Sequence, residues 1–296
     1  MALSIQSNMA SMSIQNQLGR SNNDLSTALE RLGSGFKINS AKDDAAGLQI
    51  ASRLNAQVRG QEAALYNSNN AMSMMQTAEG AFDEMTNIAY RMKELATQAL
   101  NGTNGTDEYT AQTAEYTALA AELGSIMSNT SYGGTKLLDT GAAGKFTASV
   151  DFQVGSSTAE KLTVDISKTL LDGTNDSVQL SINNITTTAS TGVLSAGGLI
   201  ENQADAKVQL EFVDTLVDTI GTARSALGAS MNRLDHTMNN VTNMKENTQA
   251  AASTLMDADF AAETSNMTKQ QLLMNSGISV LSTANSTTQM IGSLLR

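Results

Sequence analysis

The side chains that could carry out chemistry in this chain are few and widely separated. The single histidine, His236, has no cysteine and no second histidine with which to complete a nitrogen or sulfur metal site. Acid pairs occur at Asp43-Asp44 and at Asp257 with Asp259, but each pair stands where a helix is expected to begin, and carboxylates at that position cap free backbone N–H groups. No nucleophile or positioned base accompanies them. We therefore predict no enzymatic activity, no metal site and no cofactor.

The composition favours long helices. The 296 residues include no Pro and no Cys, so no residue is forced to kink a helix and no disulfide can form. The net charge is −11 and no basic cluster is present, which argues against nucleic acid as a partner. The first residues show no cationic segment followed by an apolar run, and no long apolar span follows. We therefore expect neither a cleaved secretory signal nor a membrane partner.

Helical periodicity covers most of the chain. It is strongest after residue 203, where residues recur at every seventh position from Val213 to Leu255, as in a coiled-coil seam. Clusters of Gly and Asn mark breaks between helices. The predicted helices are 3–32, 44–100, 107–129, 203–256 and 259–294.

A middle segment changes from helical to alternating periodicity. Apolar residues alternate over 146–154 and again over 162–166, on either side of a turn at 155–160, and this pattern predicts a β-hairpin. Residues 171–199 are rich in Thr, Ser, Asn and Gly. We predict a surface loop there, with one further weak strand at 178–182.

Terminal arms of equal length and two long apolar seams predict that the chain doubles back on itself. The predicted fold class is mainly α: a long antiparallel coiled-coil helical rod formed by the N- and C-terminal halves, with a small β-hairpin region at one end. The five predicted segments are an N-terminal arm (1–40), the N-terminal part of the rod with the hairpin (41–170), a short variable surface loop (171–199), the C-terminal part of the rod (200–256) and a C-terminal arm (257–296).

The break after the first helix is the joint around which the rest is organised. Gly33 and Gly35 are predicted to end the incoming helix, because glycine adopts the left-handed conformation without a Cβ penalty. Ser40 with Asp43 three residues later fits a capping box that starts the next helix. Asp43 and Asp44 also favour the positive end of that helix's dipole.

The two terminal arms carry narrow apolar stripes on helices that are otherwise rich in Ser, Asn, Gln and Thr. Such helices are weak in isolation, so we predict that they become stable only when neighbouring subunits bury the stripes. The predicted assembly residues are Leu18, Leu25, Leu29 and Leu32 in the first arm and Ile278, Leu281, Ile291, Leu294, Leu295 and Arg296 in the second.

Two segments resemble one protein family. Residues 34–54, SGFKINSAKDDAAGLQIASRL, are similar to the joint of bacterial flagellins, and residues 265–285, SNMTKQQLLMNSGISVLSTAN, with the final SLLR are similar to the flagellin C-terminus. The resemblance covers roughly 1–170 and 200–296. It implies a structural subunit that is exported by the flagellar type III apparatus and polymerises into the extracellular filament used for swimming. The alternatives are a flagellin-like hook–filament junction protein or, from the heptads alone, a coiled-coil adhesin or phage-tail fibre.

The resemblance also implies partners. These are further copies of the chain in a helical homopolymer, a flagellar export chaperone on the C-terminal arm, the filament cap and hook–filament junction proteins, and Toll-like receptor 5 of animal hosts. The family's receptor epitope matches Arg91, Leu95 and Glu115. These three residues are the predicted receptor site.

Overall fold

Helices dominate the fold, as predicted. The computed structural model describes residues 8–140, 144–171, 177–186 and 200–294. The helices are α1 Met9–Ser34, α2 Ala45–Ala99, α3 Thr106–Asn129, α4 Ser167–Leu171, α5 Val178–Thr186, α6 Gln203–Met256 and α7 Phe260–Leu294. The strands are β1 Ser131–Tyr132, β2 Thr135–Lys136, β3 Val150–Gln153 and β4 Lys161–Val164.

The chain divides into two compact units. Unit 1 comprises Met1–Val58 with Glu246–Arg296, and unit 2 comprises Arg59–Lys245. The boundary falls within α2 and α6, which are 55 and 54 residues long. Helices of this length are possible because no proline removes an N–H donor from the hydrogen-bond ladder.

Within unit 2, α2 and α6 run antiparallel. Ion pairs join them, and residue numbers rise along α2 as they fall along α6. The nitrogen-to-oxygen distances are 3.5 Å for Glu62 and Lys245, 2.9 Å for Glu79 and Arg224, and 2.6 Å for Lys93 and Asp214.

The core of unit 2 lies where α2 and α6 meet α3. Tyr116 of α3 is buried, and its hydroxyl donates to Oε1 of Gln209 on α6 at 3.2 Å. Burial raises the pKa of the Tyr116 phenol, so it stays neutral and acts as a donor. The largest fully buried apolar side chains of the three helices include Phe82, Met85, Met92, Leu123, Ile220 and Leu227.

The predicted β-hairpin is present with shorter strands. β3 and β4 pair antiparallel with Val150 opposite Val164, whereas residues 145–147 form a 3-10 turn. The hairpin turn lies close to α2 at Gly60. A Cβ at that position would stand 2.8 Å from the Cβ of Ser156, so glycine permits the close approach.

The predicted strand at 178–182 is wrong. These residues belong to α5, whose Val178, Ile182 and Ile185 are buried in the core of unit 2. Spacings of four and three residues place all three on one face of a helix. The surface-loop prediction is therefore also wrong for this part of 171–199. Residues 172–176 and 187–199 lie outside the described residues.

Candidate assembly site

Helix α1 ends at a single residue in the left-handed conformation. Gly35 has φ 78°, and its N–H donates to the carbonyl oxygen of Arg31 at 2.9 Å. Gly33 remains inside α1, so its predicted role as a second helix terminator is wrong. One glycine with positive φ is enough to satisfy the C-terminal carbonyl and turn the chain.

The start of α2 differs from the predicted capping box. The Ser40 hydroxyl donates to Oδ2 of Asp43 at 3.0 Å, which is a charge-assisted hydrogen bond. Backbone N–H groups of Asn39 and Ser40 donate to the same oxygen, and these bonds lower the pKa of Asp43. The helix begins later, and Asp44 caps it by accepting from the N–H of Gly47 at 2.9 Å.

The joint is hydrogen-bonded to the second break in the chain. The N–H of Lys37 donates to the carbonyl of Met256 at 2.6 Å, and the N–H of Ala258 donates to the carbonyl of Gly35 at 2.9 Å. Asp259 then caps α7 by accepting from two backbone N–H groups of its first turn. Both breaks therefore form one joint of unit 1, from which α1 and α7 leave together.

Helices α1 and α7 lie antiparallel along each other. The side-chain amide of Asn8 donates to the carbonyl of Ala284 at 3.1 Å, and Arg31 lies 3.9 Å from Glu263 near the joint. The residues that face the partner helix follow a seven-residue repeat. On α1 they are Ser11, Ile14, Leu18, Ser21, Leu25, Ala28 and Leu32, and on α7 they are Glu263, Met267, Gln270, Met274, Gly277, Leu281 and Ala284.

This seam is much weaker than the core of unit 2. About half of its positions hold serine, alanine, glycine or polar side chains, which bury little apolar surface. Over its described side chains, 260–287 and 290, α7 has no buried residue. A 35-residue helix with no buried residue among these described positions lacks the covered apolar face that a stable helix needs.

The two helices pack closely at Gly277. A Cβ at this position would lie 2.7 Å from Cδ2 and 3.2 Å from Cγ of Leu18. The Leu18 side chain therefore packs into the space that the missing side chain leaves. Gly19 of α1, in contrast, has no atom within 4 Å of the Cβ it would carry.

We expect the two matched substitutions Gly19→Ala and Gly277→Ala to act in opposite directions. Each replaces a helical glycine by alanine, which favours the helix by about 1 kcal/mol. At Gly277 the added methyl overpacks the seam, which costs about 1 to 3 kcal/mol. Amide hydrogen exchange of α1 will measure the free energy of opening. Equal stabilisation by both substitutions would contradict the close packing of Leu18.

The predicted assembly residues whose side chains are described divide into two groups. Leu18, Leu25, Leu32 and Leu281 lie in the seam between the chain's own arms. Leu29 is 52% exposed and Ile278 is 55% exposed, so both point away from the seam. Ile291 and Leu294 lie on α7 without described side chains, and Leu295 and Arg296 lie outside the described residues.

The outward surface of the α1–α7 pair is apolar at many positions. Its exposed large side chains are Met9, Met12, Leu29, Phe260, Leu272, Leu273, Ile278, Val280 and Met290. Such a surface on a single chain is typical of a site that binds another protein.

The predicted receptor site is only partly at the surface. Nε of Arg91 on α2 donates to Oε1 of Glu115 on α3 at 2.8 Å, and a second guanidinium nitrogen contacts Glu94 at 2.6 Å. These carboxylates raise the pKa of Arg91. Leu95 is only 2% exposed and packs in the core of unit 2, so of the three predicted receptor residues Arg91 and Glu115 are the accessible ones.

The described side chains form no other recognisable site. His236 is exposed on α6. In the part of the chain that the structure covers, no three His, Asp or Glu side chains converge as metal ligands. No helix over those residues is both long and apolar enough to cross a membrane.

Comparisons with known proteins agree with this architecture. The family model of the bacterial flagellin N-terminal helical region matches residues 5–143, and that of the C-terminal helical region matches residues 210–295. A flagellin of Listeria monocytogenes is 36% identical over 294 residues, which cover 99% of both chains. Polar flagellin C of Vibrio parahaemolyticus is 33% identical over 389 residues, which cover 100% of both chains.

A solved structure supports the fold. A protein described as flagellar hook-associated, from Vibrio parahaemolyticus, has a TM-score of 0.57 with this chain and covers 72% of it and 99% of its own length. Its sequence identity is 14%, so the likeness concerns the fold alone.

Proposed function

The chain belongs to the bacterial flagellin family, and from this premise we propose that burial of the α1–α7 pair between subunits drives its polymerisation. The protein is a structural subunit of the flagellar filament. The family is one of structural proteins, and we propose that this chain has no catalytic role. We further propose that it is exported by the flagellar type III apparatus and acts outside the cell in swimming motility.

The observation that carries this proposal is the incomplete burial of α7. Its seam with α1 contains few large apolar side chains, and its outward side chains include Leu272, Ile278 and Val280. Burying such a side chain fully is worth about 1.5 to 3 kcal/mol. Several must be buried together to exceed the cost of ordering the two helices. Contact with neighbouring copies supplies that burial.

The distribution of charge favours contact through unit 1. Unit 1 contains 7 of the 18 basic and 8 of the 29 acidic residues, and unit 2 contains the remaining 11 basic and 21 acidic residues. Copies that meet through unit 1 therefore bring together nearly neutral surfaces. Copies that meet through unit 2 bring together like charges, which repel.

Amide hydrogen exchange will test whether the arms are ordered by assembly. In dilute monomer we expect α1 and α7 to exchange faster than the core of unit 2, because their seam is weak. In filaments grown with a precipitating salt and filament seeds, we expect protection to rise at least about 100-fold, since burial of two large side chains exceeds 2.7 kcal/mol. The helical core around Phe82 serves as an internal control, because it is buried within the chain and should be protected in both states. Equal protection of the arms in monomer and filament would contradict the proposal.

We propose that a flagellar export chaperone binds α7 before secretion. The exposed apolar side chains of α7 would otherwise allow premature polymerisation in the cell, and a groove that accepts one helical face would cover them. The filament cap and the hook–filament junction proteins are the proposed partners at the two ends of the filament. Loss of chaperone binding from a chain that ends at Asp257 will test the chaperone site, and unchanged affinity would exclude it.

We also propose that Toll-like receptor 5 of animal hosts recognises unit 2 through Arg91 and Glu115. The pair is accessible, with side-chain exposures of 44% and 46%, and Leu95 supports it from the core. We expect Arg91→Ala to reduce the monomer's potency on receptor reporter cells about 10-fold or more, because hydrogen bonds to charged groups are worth about 1.5 to 3 kcal/mol. Arg224→Ala is the control, because Arg224 also pairs with two carboxylates in unit 2. An equal loss in both variants, or a silent natural protein, would contradict the assignment.

A further inference from the structure

Three methionines of unit 1 differ from those in the core of unit 2 by their exposure. Met9 and Met12 on α1 are 69% and 54% exposed, and Met290 on α7 is 59% exposed. Methionine is a soft apolar side chain that is normally used to fill cores, as it does in unit 2. The buried methionines of unit 2 are Met74, Met75, Met85, Met92 and Met127.

The three exposed thioethers lie at the end of the α1–α7 pair farthest from the joint. Ser11, between the two methionines of α1, faces the seam and donates its hydroxyl to Oδ1 of Asn285 at 3.0 Å. The helical period turns Met9 about 160° and Met12 about 100° away from Ser11. This end of the pair therefore presents apolar sulfur-containing side chains to solvent while its polar groups bond across the seam.

We propose that Met9, Met12 and Met290 are the sites at which peroxides modify the subunit, and that their oxidation blocks filament growth. Each thioether sulfur takes one oxygen atom from hydrogen peroxide and is oxidised by two electrons to a sulfoxide, while the peroxide is reduced to water. The inference rests on the proposed function, because it requires this outward surface to become buried between subunits.

The chemical change acts directly on burial. A sulfoxide is polar, and its oxygen is a hydrogen-bond acceptor that is costly to bury without a donor. The oxidised monomer therefore keeps its fold, since the three side chains contribute little to any core, but it loses the apolar surface that neighbours would cover. In an assembled filament the same thioethers are shielded, so the monomer is the vulnerable form. Sulfoxide reductases that act on the two epimers reverse the modification.

Graded treatment with hydrogen peroxide, applied separately to monomer and to filaments, tests the proposal by peptide mass spectrometry. In the monomer we expect the three exposed methionines to be oxidised at least 10-fold faster than Met75 and Met85. In filaments we expect them to be protected. Treated monomer should lose at least 10-fold in filament growth rate and recover it after incubation with the two reductases.

The triple substitution Met9→Leu, Met12→Leu and Met290→Leu is the matched variant, because leucine keeps an apolar side chain without sulfur. It should grow filaments that peroxide treatment of the monomer does not inhibit. Uniform oxidation of exposed and buried methionines, undiminished growth of treated monomer, or equal inhibition of the triple variant would overturn the proposal. If the triple variant does not grow, the deciding measurement is filament growth of the peroxide-treated natural monomer after incubation with the two reductases. Recovery of growth supports the proposal, and no recovery refutes it. Growth of untreated natural protein tests the proposed function separately.

Discussion

Removal of residues 260–296 will abolish filament growth and leave a folded monomer. The deletion takes away α7 and its outward apolar side chains, but unit 2 keeps every side chain of its own core. Ala258 also remains, so its N–H still donates to the carbonyl of Gly35 at the joint. Circular dichroism should show the main thermal transition within a few degrees of the full chain, and electron microscopy after addition of salt and seeds should show no filaments. Removal of residues 1–32 should have the same effect, because α7 then loses the helix that it packs against.

Replacement of a segment outside both terminal arms provides the control. Replacing residues 187–199 with a Gly/Ser linker of equal length should leave filament growth intact, because this segment lies outside both matched family regions. Filaments from either arm truncation would show that the arms do not drive polymerisation. An unfolded truncated monomer would show instead that unit 2 depends on the arms for its stability.

The sequence predicted the long helices and their breaks well because the signals are local. Gly35 and the cluster of Gly and Asn after α2 end helices through their own backbone preferences, and the repeat from Val213 to Leu255 follows one face of α6. The pairing of α1 with α7 followed from the similar lengths of the two predicted terminal arms, 1–40 and 257–296, and from their positions at opposite ends of the chain. The bonds that join Gly35 to Ala258 across the two breaks could not be predicted, because they link residues far apart in sequence.

Two errors came from patterns that fit more than one periodicity. In α5, Val178 and Ile182 fit both an alternating strand and a helical face, and a short apolar run does not distinguish them. In α1, Leu29 lies four residues after Leu25 and so fits a helical stripe, but the seam follows the seven-residue repeat through the small side chain of Ala28. The prediction relied on large apolar side chains and therefore passed over Ala28, although a small side chain can also pack in a close contact between two helices.

Ile278 on α7 is similar to Leu29 on α1, because it is apolar but does not face the seam. Its placement leads to a specific prediction. We expect Ile278→Asp to leave the monomer intact and to prevent filament growth. The side chain is 55% exposed in the single chain, so its loss should change the free energy of unfolding by no more than about 0.5 kcal/mol. Burying an aspartate between subunits without a partner costs several kcal/mol.

The expected consequence is a rise of at least about 100-fold in the monomer concentration needed for growth, since each 1.4 kcal/mol corresponds to a factor of ten. Light scattering at a series of monomer concentrations will measure it. Ile278→Leu is the conservative control and should grow normally. Leu281→Asp is the comparison that separates the two surfaces: Leu281 lies in the seam with α1, so this variant should also increase hydrogen exchange of α1 in the monomer. Normal growth of Ile278→Asp would mean that the outward face of α7 at this position is not covered by a neighbouring subunit, because an unpaired carboxylate at a buried contact could not be accommodated at so small a cost.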